Sequence, residues 1–166
     1  MEPLKGNRVH LRAIEPKDED LLYKWENNHA IWQVSNTLAP FSRHILKKYL
    51  DTAHLDIFES KQLRLVIETN DFDLPVGLID LFEFDPHNQR AGIGILIGES
   101  AERGKGYATD ALKALLEYVF TVLLLNQVYC SIDESNLISL ALFKNAGFHI
   151  TGNKEKWIRS ATGWSN

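Results

Sequence analysis

The sequence predicts a mixed α/β (α+β) fold, in which helices flank a central sheet whose strands are mostly antiparallel. The apolar residues recur with a period of two in some segments and of 3.6 in others, in the order β-α-α-β-β-β-α-β-α-β. Three of these strands follow one another without a helix, which is typical of an antiparallel meander. The long helix that comes next predicts one right-handed crossover to a parallel strand.

The first part of the chain is predicted to place two helices between the first and second strands. Alternation over residues 9–13 predicts the first strand, and Pro16 with the acidic residues after it predicts the start of a helix. That helix is expected to end at residues 27–29. Residues 30–40 are expected to be irregular, and Ser42 is expected to cap the second helix.

The second part carries the meander, the crossover helix and the C-terminal elements. In the order strand, strand, strand, helix, strand, helix and strand, the predicted elements cover residues 63–67, 76–84, 90–97, 108–124, 128–132, 136–145 and 148–158. Residues 108–124 have apolar residues at helical spacing on one side and polar residues on the other, so they predict the longest helix.

Composition limits the classes of protein to which this chain can belong. With 166 residues, of which 45% are hydrophobic, residues 1–166 are expected to form one globular domain. A net charge of -4 without a long run of either sign argues against nucleic acid as the main partner. The single cysteine, Cys130, rules out an intramolecular disulfide and fits a reducing compartment. Because no apolar run is long enough for a membrane span and no signal peptide is recognisable, we expect a cytoplasmic protein without a membrane partner.

A glycine-rich stretch, Glu102 to Thr109, joins the predicted fourth strand to the long helix. Gly104 and Gly106 allow the backbone to approach a ligand closely. The first N–H groups of the helix have no partner within the helix and attract an anion. Arg103 and Lys105 add positive charge at the same place. The stretch therefore indicates a phosphate or pyrophosphate site, and an ordinary strand-to-helix turn is the alternative.

The spelling of the stretch separates three kinds of phosphate-binding loop. A Walker loop needs Ser or Thr after Gly-Lys, but Lys105 is followed by Gly106. A dinucleotide-binding loop needs glycine or alanine where Thr109 stands. The remaining pattern, Arg/Gln-x-x-Gly-x-Gly/Ala, is matched by Arg103, Gly106 and Ala108. This resembles the acetyl-coenzyme A loop of the GNAT superfamily of N-acetyltransferases.

A second motif, Asn136 to Phe148, resembles the Asn-led helix ending in Gly-Phe that packs against coenzyme A in the same superfamily. Within the superfamily, the chain resembles the ribosomal-protein Nα-acetyltransferase and spermidine N-acetyltransferase branches. The resemblance implies a GNAT fold with a splayed pair of fourth and fifth strands, and an acceptor side walled by the first two helices. Those proteins continue into a further strand after a turn like residues 161–164, so the strand after this turn is expected to be short or missing.

The resemblance also implies where acetyl-coenzyme A, the cosubstrate, binds. Its pantetheine arm would pair with the fourth strand and be held by Asn136. Its pyrophosphate would accept hydrogen bonds from the backbone amides of the loop. The implied coenzyme-binding residues are Ile95, Leu96, Ile97, Arg103, Gly104, Lys105, Gly106, Tyr107, Ala108, Asn136, Phe143 and Lys144. An amine would attack the thioester directly, without an acyl-enzyme, so that positioning is the main contribution of the protein.

The sequence departs from the family at the acid–base groups. Spermidine enzymes carry a tyrosine proton donor where Phe143 stands and a glutamate where Gly92 stands. Ser139 lies one helical turn before Phe143 and matches a serine that faces the sulfur in ribosomal-protein relatives. Ser139 is therefore a candidate catalytic residue, and a hydroxyl that bonds a backbone carbonyl is the alternative.

Three carboxylates on the third strand, or at its end, are candidate substitutes for the missing glutamate: Asp80, Glu83 and Asp85. Glu83 is the first candidate for the catalytic base, acting through water, although each carboxylate could instead be a solvated residue at the strand edge.

The predicted function is acetyl transfer from acetyl-coenzyme A to a primary amine, either a protein N-terminus or a small amine. The basic residues of 43–48 argue mildly against a polyamine, which would need carboxylates. The rival is a non-catalytic acyl-coenzyme A-binding module, because Phe143 and Gly92 lack the usual acid–base groups. We further expect a monomer or a homodimer, and no metal site.

Overall fold

The computed structural model describes residues 2–35, 37–160 and 163–166. The strands in these ranges are β1 (Val9–Ala13), β2 (Leu63–Thr69), β3 (Pro75–Asp85), β4 (Arg90–Ile97), β5 (Gln127–Tyr129), β6 (Ile158–Ser160) and β7 (Gly163–Ser165). The helices are α1 (Glu19–Glu26), α2 (His29–Ser35), α3 (Arg43–Asp51), α4 (Ile57–Ser60), α5 (Tyr107–Thr121) and α6 (Leu137–Asn145). None of the helices in these ranges is long and apolar enough to cross a membrane.

The central sheet has the strand order β1-β2-β3-β4-β5. Neighbouring strands are antiparallel from β1 to β4, and β4 and β5 are parallel because α5 carries the chain back across the sheet. The mixed α/β fold with an antiparallel meander and one crossover is thereby confirmed. β6 and β7 form a separate two-stranded sheet.

The two faces of the sheet bury two different sets of side chains. On one face α5 packs against the strands and forms the main core, whose completely buried members include Val9, Ile67, Ile79, Leu81, Leu112 and Leu115. On the other face α1 and α3 cover a smaller core built from Leu22, Trp25, Leu46, Val66 and Leu78. Successive side chains of a strand point to opposite faces, which explains why Val66 and Ile67 belong to different cores.

The prediction that residues 30–40 are irregular is wrong, because α2 begins at His29. The Asn28 side chain accepts a hydrogen bond from the backbone N–H of Ala30 at 3.0 Å. Asn28 therefore follows the end of α1 and also caps the start of α2. Burial of Ile31 fixes this helix against the domain. By contrast, the predicted cap of α3 is confirmed, since the Ser42 hydroxyl accepts from the N–H of Ile45.

The C-terminal region also differs from expectation. Within the predicted extended stretch 148–158, only Ile158 belongs to a strand. The three-residue strand β7 begins at Gly163, within the predicted turn, and the expectation of a short or missing strand after this turn remains a prediction. Residues 161 and 162, which belong to the predicted turn, lie outside the described residues.

β5 ends at Tyr129, three residues earlier than predicted, and the chain beyond it turns toward the β6–β7 hairpin. The Asp133 carboxylate accepts a hydrogen bond from the Ser165 hydroxyl at 2.8 Å, and the backbone N–H of Glu134 donates to the carbonyl of Asn166 at 3.1 Å. These bonds attach the segment that follows β5 to the end of the chain, while β5 pairs with β4 only as far as Tyr129.

Asp110, in the first turn of α5, fixes this helix to the chain that enters β1. Its carboxylate accepts from the backbone N–H groups of Asn7, Arg8 and Val9 at 3.2, 2.7 and 3.0 Å. An ideal Cβ at Gly6 would come within 2.3 Å of this carboxylate, so the close approach requires glycine. One side chain thus ties the N-terminus of the crossover helix to the edge of the sheet.

We expect Asp110→Ala to lower the free energy of unfolding by about 1–3 kcal/mol, because the partly buried N–H of Val9 loses its acceptor. Urea denaturation followed by circular dichroism measures the change. Glu117→Ala, at an exposed position of the same helix, is the matched control and should change stability much less. Equal stability of the two variants would show that the Asp110 bonds are dispensable.

Candidate active site

β4 and β5 pair over only three residues and then separate. Their register runs from Arg90 opposite Gln127 to Gly92 opposite Tyr129, where β5 ends. β4 continues to Ile97 and remains paired with β3 over this length. The backbone of residues 93–97 therefore has no strand on its β5 side among the described residues. The expected splay of the fourth and fifth strands is present.

The free edge of β4 carries the residues that were predicted to pair with the pantetheine arm. Ile95, Leu96 and Ile97 lie there and are half-buried. On alternate residues of such an edge, the N–H and C=O groups point away from β3 and into the gap. An extended ligand could add to the sheet at this edge as a strand does.

The glycine-rich loop between β4 and α5 has the conformation that an anion site needs. Gly104 and Gly106 have φ values of 75° and 81°, in the left-handed region that favours glycine. An ideal Cβ at either position would meet no atom within 4 Å, so the backbone conformation, and not crowding, calls for glycine. In the described part of the chain, no side chain caps the N-terminus of α5. The first amides of α5, at Tyr107 and Ala108, face outward with the positive end of the helix dipole.

The cations of the loop are engaged by the protein itself. Lys105 pairs with Glu102 at 2.9 Å, and the Arg103 guanidinium donates to the carbonyl of Ile97 at 3.3 Å. Arg8 donates to the backbone carbonyl of Lys105 at 2.9 Å and adds a third positive charge. Sequence analysis did not identify Arg8, because it is 97 residues away in the chain and reaches the loop only through the packing of β1 against α5.

Helix α1, which covers the smaller core, is hydrogen-bonded to the start of the same loop. The Trp25 indole N–H and the Lys24 ammonium both donate to Glu99, at 3.0 and 2.6 Å. These two hydrogen bonds hold the pKa of Glu99 below its ordinary value, and the bond from Lys24 has the larger effect. Gly98 lies against the indole so closely that an ideal Cβ would be 2.2 Å from it. α1 and the end of β4 therefore form one packed unit.

α6 presents a free hydroxyl. The Asn136 side chain caps the helix by accepting from the backbone N–H of Ser139 at 3.1 Å. The Ser139 hydroxyl makes no hydrogen bond with any described residue. The alternative role, in which this hydroxyl donates to a backbone carbonyl, is therefore not seen among the described residues. Lys144 is exposed in the last turn. The contacts of Asn136 and Lys144 with the coenzyme remain predictions.

Phe143 belongs to the main core. Its ring is 4% exposed and packs edge-on against Phe148, with 5.0 Å between the ring centres. Packing is therefore its visible role, and its contact with the coenzyme remains a prediction.

The structure explains why residue 92 is glycine. An ideal Cβ at Gly92 would lie 2.3 Å from the ring of Phe82, on the face of the sheet opposite α5. The ring thus occupies the space into which a β4 glutamate would project. Phe82 in turn contacts the Tyr129 ring edge-on, with 6.2 Å between centres.

Two of the three candidate carboxylates are fully engaged. Asp80 receives two hydrogen bonds from Arg64, at 2.7 and 3.1 Å, and Glu26 receives a third at 2.9 Å. Asp85 belongs to the turn after β3, where hydrogen bonds from the side chain and then the backbone of Asn88 hold its pKa below the ordinary value. Neither carboxylate is placed to accept a proton from a substrate.

Glu83 is different, because one of its oxygens stays free. Oε2 accepts a hydrogen bond from the Tyr129 hydroxyl, and Oε1 has no hydrogen bond to the described residues. This bond, and secondarily burial, raises the pKa of Tyr129 to about 12. Sequence analysis named Glu83 but not Tyr129, since only the register of three strands brings these two residues together.

The other reactive residues have ordinary roles. Burial raises the pKa of Cys130 to about 11, so its thiol is a poor nucleophile. His87 and His149 are exposed. His10, Glu68 and Asp73 offer possible metal ligands within 4.8 Å of one another, but at the opposite edge of the sheet and with Glu68 already paired to Arg12. The expectation that the protein has no metal site remains a prediction.

Comparison with known proteins gives a consistent result. The family model for the acetyltransferase (GNAT) domain matches residues 8–149. The chain is 28% identical over 157 residues to an uncharacterized N-acetyltransferase of Bacillus licheniformis. The aligned region covers 92% of this chain and 85% of that protein. It is also 28% identical over 147 residues to the spermidine N(1)-acetyltransferase of Escherichia coli K12, with 89% and 76% coverage.

A solved structure supports the fold. The spermidine N-acetyltransferase from Vibrio cholerae, in complex with CoA and spermine, superposes with a TM-score of 0.85 at 24% identity and covers 95% of this chain and 90% of its own. The family match extends over both motifs that were first identified in the sequence, the loop and the Asn-led helix segment. The chain therefore belongs to the GNAT family and is an acetyl-coenzyme A-dependent N-acetyltransferase.

Proposed function

We propose that this protein binds acetyl-coenzyme A along the free edge of β4 and transfers the acetyl group to a primary amine that reaches the fork from the other end of the strand. The observation that carries this proposal is the separation of β4 from β5 after Gly92, directly before a loop with open amides. The free edge suits an extended arm, and the outward amides suit a pyrophosphate.

The two substrates have separate approaches to the fork. The coenzyme loop follows Ile97, at the C-terminal end of β4. A solvent-open cavity of about 430 Å³ lies at the other end, bordered by Glu83, Asp85, Arg90, Gln127 and Tyr129. The cavity is bordered by two carboxylates and by only one guanidinium, and this excess of negative charge favours a cationic ligand. This arrangement suits a ternary complex in which the amine attacks the thioester directly, and the gain from such positioning is on the order of 7–11 kcal/mol.

The direct test is thiol release. Purified protein is mixed with acetyl-coenzyme A and a panel of amines that contains spermidine, a peptide with a free N-terminus and small monoamines. We expect free thiol to appear with at least one of these amines and not without an amine. Coenzyme binding without thiol release from any amine would instead support the non-catalytic acyl-coenzyme A-binding module.

The panel also addresses the class of acceptor. The spermidine N-acetyltransferases among the relatives give a reason to include a polyamine. Of the basic residues of α3, which argue mildly against a polyamine, Arg43 has its charge paired with Asp20 of α1 at 2.6 Å. The oligomeric state remains a prediction, and a relative from Vibrio cholerae is described as dodecameric.

We expect acetyl-coenzyme A to stabilise the fold, by about 2.7 kcal/mol at a hundredfold excess over its dissociation constant. Gly106→Val should abolish the resulting increase in melting temperature, because a β-branched residue is strained at a φ of 81° and covers the loop amides. Differential scanning fluorimetry with and without ligand measures the increase for each variant separately. Gly152→Val is the matched control, since Gly152 lies in open space without a positive φ. A normal increase in Gly106→Val would mean that the phosphate site lies elsewhere.

We expect the turnover rate to rise through alkaline pH and to follow the pKa of the acceptor amine. The reason is that Gly92 supplies no carboxylate on β4, so that the ammonium ion must lose its proton to solvent before it attacks. Rates measured from pH 6 to 10 with amines of different pKa check this. A plateau that starts near neutral pH with every amine would instead reveal an enzyme group that takes the proton from the ammonium ion before the attack.

We expect Ser139→Ala to lower kcat, on the order of 10²-fold if the hydroxyl assists the leaving thiolate. Coenzyme affinity should change much less, because the cap of α6 uses the backbone N–H of residue 139 and survives the substitution. Steady-state kinetics and calorimetry separate the two effects, and Ser139→Thr, which keeps the hydroxyl, should retain most of the activity. Wild-type turnover in Ser139→Ala would leave water as the proton source.

A further inference from the structure

The hydrogen bond between Tyr129 and Glu83 crosses β4 at the point where β4 and β5 separate. Phe82, Gly92 and Tyr129 stand side by side on β3, β4 and β5. β3 and β5 are two strand spacings apart, or about 10 Å. The Tyr129 side chain must therefore reach over β4 to donate to Glu83. The contact lies on the face opposite α5, beside the Phe82 ring.

The backbone of β3 is distorted where it presents Glu83. The register between β3 and β4 shifts after Phe82, so that two residues of β3 lie opposite one residue of β4. Glu83 occupies this bulge with a φ of 50°, a left-handed conformation that is strained for a residue with a side chain. Bulges of this kind redirect a side chain. Here the bulge turns Glu83 toward Tyr129 while Phe84 returns to the main core.

The pair leaves one carboxylate oxygen available at the fork. Tyr129 occupies Oε2 of Glu83, and Oε1 faces no hydrogen-bonding partner within the described ranges. The charged groups beside it are Asp85 and Arg90, which form an ion pair with each other at 3.3 Å. A glutamate that is otherwise exposed is thus held in one orientation at the edge of the open cavity.

We infer that Glu83 is the catalytic base that removes a proton from the acceptor nitrogen after it has attacked, and that Tyr129 is the positioning residue that holds Glu83 for this step. This inference rests on the proposed function, because it assigns roles within acetyl transfer to an amine. It also gives the fork a substitute for the glutamate that β4 lacks at Gly92.

The neutral amine nitrogen forms a bond to the thioester carbon and becomes positively charged. Its proton passes to Oε1 of Glu83 while the C–S bond breaks and the thiolate leaves. The thiolate takes a proton from solvent by way of the Ser139 hydroxyl, and Glu83 returns its proton to solvent. The products are an amide and the free thiol, so neither an oxidant nor a further reactant is needed.

Tyr129 itself is unsuited to be the acid for the thiolate. Its hydroxyl already donates to Glu83, and its pKa is raised to about 12. A thiol has an ordinary pKa of about 8.5, so proton transfer from this phenol to the thiolate would be uphill. The Tyr129 hydroxyl therefore serves to orient Glu83 and not to protonate the thiolate.

The test combines three variants in steady-state kinetics with an amine that the wild-type protein acetylates. Tyr129→Phe keeps the ring against Phe82 and removes only the hydroxyl; kcat should fall about tenfold, as expected for loss of a hydrogen bond to a charged group. Glu83→Gln should lower kcat by about 10²-fold or more. The double variant should be no slower than Glu83→Gln alone, because Tyr129 acts only through Glu83. Coenzyme affinity, measured by calorimetry, should be unchanged in all three.

Chemical rescue separates a base from a merely structural residue. Glu83→Gly fits the positive φ of the bulge without strain and leaves room for a small carboxylate. Formate at tens of millimolar should raise kcat of Glu83→Gly several-fold and should not affect Glu83→Gln. Tyr118→Phe and Glu117→Gln, on α5 on the other face of the sheet, are the matched controls and should behave as the wild type.

Each failure has a distinct appearance. An inactive wild-type protein that binds coenzyme would overturn the proposed function and this inference together. An active wild-type protein with unaffected Glu83 variants, or without formate rescue, would overturn the assignment of Glu83 alone. Additive losses in the double variant, or normal turnover in Tyr129→Phe, would overturn the role of Tyr129.

Discussion

The structure depends on the unequal pairing of β4. This strand is hydrogen-bonded to β3 up to Ile97 but to β5 only up to Gly92, so that one sheet contains both a rigid scaffold and a free edge. The chain after β5 is hydrogen-bonded through Asp133 and Glu134 to Ser165 and Asn166, at the C-terminal end of the described chain. Asp110 holds α5 against β1, and the loop that joins β4 to α5 is thereby fixed at both ends. The candidate coenzyme site follows from these constraints.

The other face of the sheet shows how one packing choice affects chemistry. Phe82 covers Gly92, and this contact excludes any side chain at residue 92. The space that remains on this face is reached from the neighbouring strands, by Glu83 from the bulge of β3 and by Tyr129 from the end of β5. A carboxylate is thus supplied across β4 and not from it. The strained φ of Glu83 is maintained because the bulge also returns Phe84 to the core.

Local patterns in the sequence were sufficient for most of the fold. Alternation identified β1 to β4, Ser42 marked the start of α3, and the two glycines of the loop identified the N-terminus of α5. α2 was missed because Asn28 both follows one helix and starts the next. Contacts such as Tyr129 with Glu83, 46 residues apart, and Arg8 with Lys105 could not be predicted, because they depend on strand register and on packing that no local pattern encodes.

The distribution of charge on the acceptor face limits how an amine can be recognised. Arg64 is paired with both Asp80 and Glu26, so the carboxylate oxygens that face it are engaged, and the three side chains together carry one negative charge. Glu83 retains an oxygen without a partner among the described residues, and the Asp85–Arg90 pair beside it carries no net charge. Under the proposed function, Glu83 offers the ammonium group of the acceptor one carboxylate oxygen at the fork. A second ammonium group of a polyamine would have to bind the remaining negative charge of the Asp80, Glu26 and Arg64 group, or more distant carboxylates, so the fork itself is matched to one ammonium group and not to the length of the acceptor.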